Sequence, residues 1–401
     1  MDTGSAGFPR ELLSQPWPAR LGYFRAYTMA HPRLLAARET LLSAIHEMAP
    51  NSLILVMGPT GVGKTTLRAK VEQMLTTEML PELGADPVRL PVVSVECIAP
   101  ESGTFSWRDH FRRLLLQMDE PLVDYKLNPE APVRMGDRAT RFLPGVRAAG
   151  SQFHHAAERA LRFRRPAAVL LDEAQHLARM SSGRRLSDQL DVIKSLANCT
   201  GTVHVLLGTY ELLAFRNLSA QLSRRSVDIH FPRYRVDDPN DQKIFLTVLR
   251  SFEQQLPLSE PPKLVEEWEY LYERSIGCVG VLKDWLVRAL TGVFRRNASV
   301  LTLRDLQTHA LSVPQCDKML SEALEGEVRL LESTEQRNRL RTRLGLGPQE
   351  TYREKSSSGV TTQVAVEITS PRKRRRKPGQ RQPRRDPIGL PTTSYATAIN
   401  V

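Results

Sequence analysis

Residues 58–65 read Gly-Pro-Thr-Gly-Val-Gly-Lys-Thr, which fits the pattern G-x-x-x-x-G-K-[ST] without a mismatch. The apolar run at 52–57 precedes it and predicts a buried parallel strand, and a helix-forming stretch at 65–74 follows. Strand, glycine loop and helix in this order are typical of a P-loop, whose backbone N–H groups point at a polyphosphate. The stretch therefore predicts an α/β fold with a parallel sheet that binds a nucleoside triphosphate.

The loop residues have different expected roles. We expect Lys64 to reach the β- and γ-phosphates and assist catalysis, and Thr65 to place its hydroxyl on Mg²⁺. ATP and Mg²⁺ are thus the expected cofactors. The residues expected to bind the nucleotide are Gly58, Pro59, Thr60, Gly61, Val62, Gly63, Lys64, Thr65 and Thr66.

Two adjacent acids form a second motif. The apolar residues 167–171 predict a strand that ends in Asp172 and Glu173. Ligands of open α/β sheets bind at the carboxyl ends of strands, so these acids should lie near the P-loop. We expect Asp172 to hold Mg²⁺ through its water shell and Glu173 to activate the attacking water as a general base.

Three further residues are candidates for catalysis. Thr209 follows a predicted strand at 202–207, and its hydroxyl would either contact the γ-phosphate or cap a turn. Arg224 and Arg225 follow a predicted helix at 211–222. The arginine pair is either solvated or acts in trans on the ATP of a neighbouring subunit.

The other periodic segments complete an α/β pattern followed by helices. Residues 1–27 are rich in proline, glycine and aromatic residues and predict an irregular arm. Further strands are predicted at 89–98 and 227–231. Further helices are predicted at 31–48, 107–118, 153–164, 186–197, 238–255, 263–276, 279–296, 303–311 and 315–343.

The net charge of +12 favours a polyanionic partner. Residues 351–401 contain 11 Lys/Arg against 3 Asp/Glu, without apolar periodicity, and this basic tail is predicted to be disordered. It would attract phosphate or dock a protein. The Pro-broken segment 126–147 is either the DNA-binding loop or a solvated insertion. Its candidate DNA-binding residues are Lys126, Arg134, Arg138 and Arg141.

Other classes of protein fit the sequence poorly. Its apolar runs are too short to span a bilayer, and residues 1–10 lack the pattern of a secretory signal. The four cysteines have no C-x-x-C pair, so they indicate neither a zinc site nor a disulfide framework. Reduced, mostly buried thiols in a cytoplasmic protein are the expected arrangement.

Taken together, the motifs resemble the AAA+ ATPases that regulate transposition, the TnsC/TniB group. The resemblance extends over about residues 20–315. It is carried by residues 24–27, 31–34, 58–65, 170–177 (Leu-Leu-Asp-Glu-Ala-Gln-His-Leu), 205–212 (Val-Leu-Leu-Gly-Thr-Tyr-Glu-Leu) and 277–286 (Gly-Cys-Val-Gly-Val-Leu-Lys-Asp-Trp-Leu). Relatives often carry an arginine as a second sensor where this chain has Val281, and Lys283 is the nearest cation.

The resemblance implies a bacterial cytoplasmic ATPase that uses hydrolysis as an assembly switch. Such proteins form homo-oligomeric rings or filaments on double-stranded DNA and recruit a transposase and a target-selection protein. The implied organisation is an N-terminal arm (1–30), an ATPase α/β domain (31–235), a helical lid (236–315), a charged helical extension (316–345) and a basic disordered tail (346–401).

Two alternative functions remain open from the sequence. An AAA+ loader of the replication-initiator or helicase-loader type would be favoured by a linked winged-helix domain. A nucleotide-switched signalling ATPase without a nucleic acid ligand would not bind duplex DNA in its ATP state.

Overall fold

A parallel sheet organises the α/β part of the chain. The computed structural model describes residues 7–49, 52–99, 105–121, 123, 146–178, 184–216, 226–331 and 333–346. Its strands are β1 (Leu53–Met57), β2 (Val92–Glu96), β3 (Ala168–Asp172), β4 (Val203–Gly208) and β5 (Ser226–His230). They are ordered β2-β3-β4-β1-β5, and all neighbouring pairs are parallel. The predicted strands and the α/β class are confirmed.

Burial on both faces explains why these short apolar runs form a central sheet. All five residues of β1 are buried. Leu55 faces one core, and Ile54 and Val56 face the other. The register pairs Met57 with Gly208, so parallel strands β1 and β4 end side by side. The segments that follow β1, β3 and β4 therefore meet at one edge of the sheet.

Helices cover both faces. One face packs against α2 (Pro32–Glu47) and α3 (Lys64–Ala85), and the other against α4 (Trp107–Gln117), α5 (Val146–Arg164) and α7 (Arg184–Thr200). Shorter helices follow two strands, namely α6 (Gln175–Ala178) after β3, and a 3₁₀ turn (Tyr210–Leu212) with α8 (Leu213–Arg216) after β4. Helices α3 and α5 are longer than predicted. The rest of the helix predicted at 211–222 lies outside the described residues.

The predicted helical lid is confirmed. It comprises α9 (Pro239–Gln255), α10 (Trp268–Ser275), α11 (Val279–Arg295) and α12 (Leu303–His309). Trp285 is buried in its core, and its indole Nε1–H donates to the Leu306 carbonyl at 2.8 Å. Helix α10 begins later than predicted, because residues preceding Trp268 form a turn.

The prediction of an irregular N-terminal arm is wrong. Residues Trp17–Ala26 form helix α1, preceded by a short 3₁₀ helix at Arg10–Ser14. Proline at the helix start suits the first turn, where an N–H would have no partner. Leu21 and Phe24 are buried in the lid core, so tertiary packing fixes a helix that composition did not indicate.

The single helix predicted at 315–343 is also wrong. Two helices, α13 (Val313–Leu330) and α14 (Thr334–Arg343), occupy this stretch. Helix α13 packs against the α/β part, where Arg233 Nε lies 2.9 Å from Glu327 Oε1 in a buried ion pair. Gly326 lies so close to Tyr210 that a Cβ there would meet the ring at 2.1 Å.

The chain divides into two compact units, residues 1–337 and 338–401. The second unit is described only over residues 338–346, so the predicted basic tail lies outside the described residues. Among the described helices, none is long and apolar enough to cross a membrane. All four cysteines are free; Cys97, Cys278 and Cys316 are buried, and Cys199 is exposed.

Buried His204 should make folding sensitive to acid. Its Nδ1–H donates to the Thr202 carbonyl at 2.9 Å. Burial lowers its pKa to about 4, although the Thr202 carbonyl acts in the opposite direction. Between pH 6.5 and 4 the unfolded chain therefore binds more protons at this position, and the free energy of unfolding falls as pH decreases.

When the pH is lowered from 7 to 5, we expect the free energy of unfolding to fall by about 2 kcal/mol more in the original chain than in His204→Val. Urea denaturation of both proteins at the two pH values measures this difference. Equal pH dependence would contradict a neutral, buried His204.

Candidate nucleotide site

The loop between β1 and α3 has the backbone that a phosphate cradle needs. Gly61 and Gly63 have φ angles of 75° and 113°, which side chains other than glycine rarely adopt. Gly63 ends the loop, and α3 begins at Lys64, so the free N–H groups of its first turn face the loop.

Lys64 is held inside the loop. Its Nζ donates to the carbonyls of Gly58 at 3.0 Å and Pro59 at 2.9 Å, and the residue is only 7% exposed. Burial lowers the pKa of this amine, and the nearby Glu173, Cys278 and Asp172 act in the opposite direction. A polyphosphate would give the buried cation a stronger partner than the two carbonyls.

A cavity of about 650 Å³ opens beside the loop. The P-loop, the ends of β3 and β4, helix α11 and helix α1 all contribute to its lining. The lining residues are Arg25, Thr60, Gly61, Gly63, Lys64, Thr65, Thr66, Glu173, Gln175, His176, Thr209, Gly280, Lys283, Asp284 and Val287. The sequence-predicted Lys64, Thr65, Glu173 and Thr209 thus lie around one cavity.

Asp172 is fixed by two donors. Its Oδ1 accepts from the Glu173 backbone N–H at 2.9 Å, and its Oδ2 accepts from Arg68 Nε at 3.1 Å. Arg68 also pairs with Glu72 at 3.1 Å and bonds the Ser94 hydroxyl. Sequence analysis missed Arg68, although its position one turn after Thr65 on α3 was a signal that it faces this edge of the sheet.

Gln175 connects the two predicted catalytic residues of the sheet edge. Its Nε2 donates to Glu173 Oε2, and its Oε1 accepts from the Thr209 backbone N–H at 3.2 Å. Glu173 has a φ of 52°, a conformation that is uncommon outside glycine and is found at functional sites. The Thr209 hydroxyl is buried without a hydrogen-bond partner among the described residues, and such an atom suits a site that receives a polar ligand.

The lid contacts the loop directly. The Val281 backbone N–H, in the first turn of α11, donates to the Gly61 carbonyl at 3.1 Å. A Cβ on Gly280 would lie 2.4 Å from the same carbonyl oxygen. Val281 itself packs against Gly61, so this position of the lid places an apolar side chain on the loop.

Lys283, the nearest lid cation, is bound to the N-terminal segment. Its Nζ donates to the Arg25 carbonyl at 2.8 Å and to the Tyr27 carbonyl. Burial lowers the pKa of its amine, with Asp284 acting in the opposite direction. Lys283 therefore lines the cavity while its charge is directed at the end of α1.

A smaller, mostly apolar cavity of about 40 Å³ shares Gly63, Thr66, Gly280 and Lys283 with the larger one. Its other lining residues are Thr28, Met29, His31, Leu34, Val62, Phe252 and Val279. His31 bonds the Tyr234 hydroxyl at 2.8 Å, and burial, followed by the charge of Arg33, lowers its pKa to about 4. The smaller cavity is thus lined mainly by apolar side chains and by His31, which is neutral.

Arg224, Arg225, Lys126, Arg134, Arg138 and Arg141 all lie outside the described residues. Their roles stay predictions from the sequence.

The family comparison agrees with this geometry. A family model described as an AAA domain matches residues 48–216, the segment that runs from just before β1 to the end of α8. Within that segment the chain is therefore similar to an AAA domain. The match covers less than half of the 401 residues, so it assigns this segment and leaves the finer family open. No curated protein matches the chain.

Solved structures resemble the chain at low identity. The ORC2 protein of Aeropyrum pernix in its ADPNP-ADP complexes is 13% identical, with 82% of this chain and 86% of that chain covered and a TM-score of 0.48. The ORC1 protein of Aeropyrum pernix in complex with DNA is 19% identical, with 74% and 68% covered and a TM-score of 0.45. Domain III of the Thermotoga maritima replication initiation protein DnaA is 14% identical, with 75% and 95% covered and a TM-score of 0.38.

The contact of the lid with the P-loop can be tested by substituting two glycines. Alanine in place of helical glycine normally stabilises a helix by roughly 0.5–1 kcal/mol. At Gly84, on α3, an added Cβ meets nothing within 4 Å, so we expect Gly84→Ala to be neutral or stabilising. At Gly280 the Cβ would collide with the Gly61 carbonyl.

We therefore expect Gly280→Ala to cost about 1–3 kcal/mol of unfolding free energy and to weaken nucleotide binding, because the lid must move off the loop. Thermal unfolding without nucleotide and equilibrium titration with ATP measure the two effects. Equal behaviour of the two alanine variants would show that the lid does not need this close approach.

Proposed function

We propose that the chain binds ATP and hydrolyses it. The convergence of Lys64, Thr65, Glu173 and Thr209 on one cavity carries this proposal. Lys64 would bind the phosphate chain, Glu173 would take a proton from the attacking water, and Thr209 would orient that water or the terminal phosphate. Gln175 would hold Glu173 and the backbone of Thr209 at a fixed separation.

The residues around the cavity also suit Mg²⁺ and the purine of the nucleotide. Thr65 and Asp172 provide the oxygen ligands that Mg²⁺ prefers, and the bound ion would supply charge for the phosphates. Asp172 already accepts two hydrogen bonds, so contact through a water molecule suits it best. The smaller apolar cavity beside Gly63 adjoins the larger one, and it would have to widen to receive the purine, because about 40 Å³ is close to the volume of a single water molecule.

At the finer level we propose an ATP-switched, DNA-binding regulator of transposition that oligomerises on target DNA and recruits a transposase. The resemblance at residues 170–177, 205–212 and 277–286 supports this role. The net charge of +12 supports a polyanionic partner. Within the described residues, helices α13 and α14 follow the lid.

Two substitutions test the nucleotide switch and its link to DNA. Lys64→Ala should lose ATP binding and, with it, assembly on duplex DNA. Glu173→Gln should bind ATP, hydrolyse it roughly 10²–10⁴ times more slowly, and remain on DNA longer. Phosphate release, together with electron microscopy on duplex DNA in a slowly hydrolysed ATP analogue, measures both properties.

The outcomes of this experiment, together with assays of helicase loading and of transposase activation, distinguish the candidate functions. Normal turnover by Glu173→Gln would contradict the role of the general base. No duplex binding in the ATP state would favour the signalling ATPase. ATP-dependent loading of a replicative helicase would favour the initiator class, and activation of a transposase encoded beside this chain would support the proposal.

The predicted arginine pair gives a test of oligomeric catalysis. Arg224→Ala/Arg225→Ala protein and Lys64→Ala protein should each be nearly inactive. Mixed on DNA, they should regain ATPase activity, because an intact P-loop then meets an intact arginine pair across one interface. Turnover by the arginine variant alone at the original rate on DNA would contradict a role in trans.

A further inference from the structure

The nucleotide cavity contains a cation that the sequence motifs do not assign. Three cationic side chains line it, namely Lys64, Lys283 and Arg25. The first two have backbone partners, since Lys64 Nζ bonds carbonyls of its own loop and Lys283 Nζ bonds the carbonyls of Arg25 and Tyr27. The Arg25 side chain is exposed and makes no hydrogen bond or ion pair with any residue that the structure describes.

The backbone of Arg25 is nevertheless firmly placed. The preceding Phe24 is fully buried in the lid core, where its ring meets Phe252 edge-on at 6.1 Å. The Lys283 ammonium binds the carbonyls of Arg25 and Tyr27 at the C-terminal end of α1, where a cation interacts favourably with the helix dipole. Helix α1 is therefore fixed to the lid, while the guanidinium at its end stays free on the cavity side.

We propose that Arg25 binds the phosphate chain of the nucleoside triphosphate from the part of the cavity wall formed by α1 and the lid. This inference rests on the proposed binding of ATP in the cavity. A guanidinium offers a planar fork of donors that fits phosphate oxygens, and it retains its charge at any physiological pH. The N-terminal helix would thereby contribute directly to nucleotide recognition.

The charges lining the cavity favour a triphosphate over a diphosphate at this residue. Arg25, Lys64 and Lys283 carry three positive charges, against the two carboxylates of Glu173 and Asp284. The backbone amides of a P-loop cradle the inner phosphates, whereas the terminal phosphate of a triphosphate adds negative charge beyond that cradle. A free guanidinium gains most from that added charge, and helix α1 would respond to the difference between ATP and ADP.

Equilibrium binding of Arg25→Ala tests this assignment. We expect its affinity for a slowly hydrolysed ATP analogue to fall by about tenfold to a hundredfold, the usual loss for a hydrogen bond between charged groups. The affinity for ADP should fall less. Arg25→Lys should keep part of the preference, because it preserves the charge but not the fork. Added salt should reduce the difference between Arg25→Ala and the original chain.

Arg10→Ala is the matched control, because Arg10 is also an exposed N-terminal arginine but does not line the cavity. It should bind both nucleotides as the original chain does. Unchanged affinities of Arg25→Ala, or equal losses for ATP analogue and ADP, would overturn the inference while leaving ATP binding in place. Failure of the original chain to bind either nucleotide would instead contradict the proposed function itself.

Discussion

The hydrogen bond from the Val281 N–H to the Gly61 carbonyl joins the helical lid to the phosphate loop. It gives a partner to one of the free donors in the first turn of α11. Because neither Gly61 nor Gly280 has a Cβ, the two backbones can approach closely. The phosphate loop is therefore linked directly to the start of the lid, and the core of the lid holds α1.

The charged residues at the sheet edge are held by a few specific partners. Arg68 offsets the charge of buried Asp172, and Gln175 sets the distance between Glu173 and the backbone of Thr209. The buried ion pair of Arg233 and Glu327 attaches α13 to the α/β part. This contact lies next to Tyr210, which follows Thr209 in the chain. The cavity is thus bordered by the fixed groups at the ends of β3 and β4 and by residues of the helices α1, α3 and α11.

Local sequence predicted the sheet well for a physical reason. A strand buried on both faces, such as β1, appears as a short uninterrupted apolar run, and the P-loop pattern and the two acids mark where such strands end. Lys64, Thr65 and Glu173, which line the cavity, were predicted from these same two motifs. Their meeting at one edge follows from the parallel pairing alone.

Features that depend on distant contacts were not predictable. Helix α1 has a composition that favours loops and is held by Leu21 and Phe24 in the lid core. Gln175 and Arg68 act through partners that are distant in sequence, so the position of Arg68 on α3 indicates the edge that it faces but not the carboxylate that it binds. The break between α13 and α14 and the return of α13 to Tyr210 have no periodic signature, because residue pattern reports the face of a helix but not its neighbour.

The arrangement of the thiols makes the molecule convenient for spectroscopy. Burial raises the pKa of Cys278 to about 12 and also raises the pKa of Cys97 and Cys316, so these three side chains stay as unreactive thiols. Cys199, near the end of α7, is exposed. A maleimide dye would therefore attach at one position of the native chain, and its fluorescence would report on the end of α7 without removal of any cysteine.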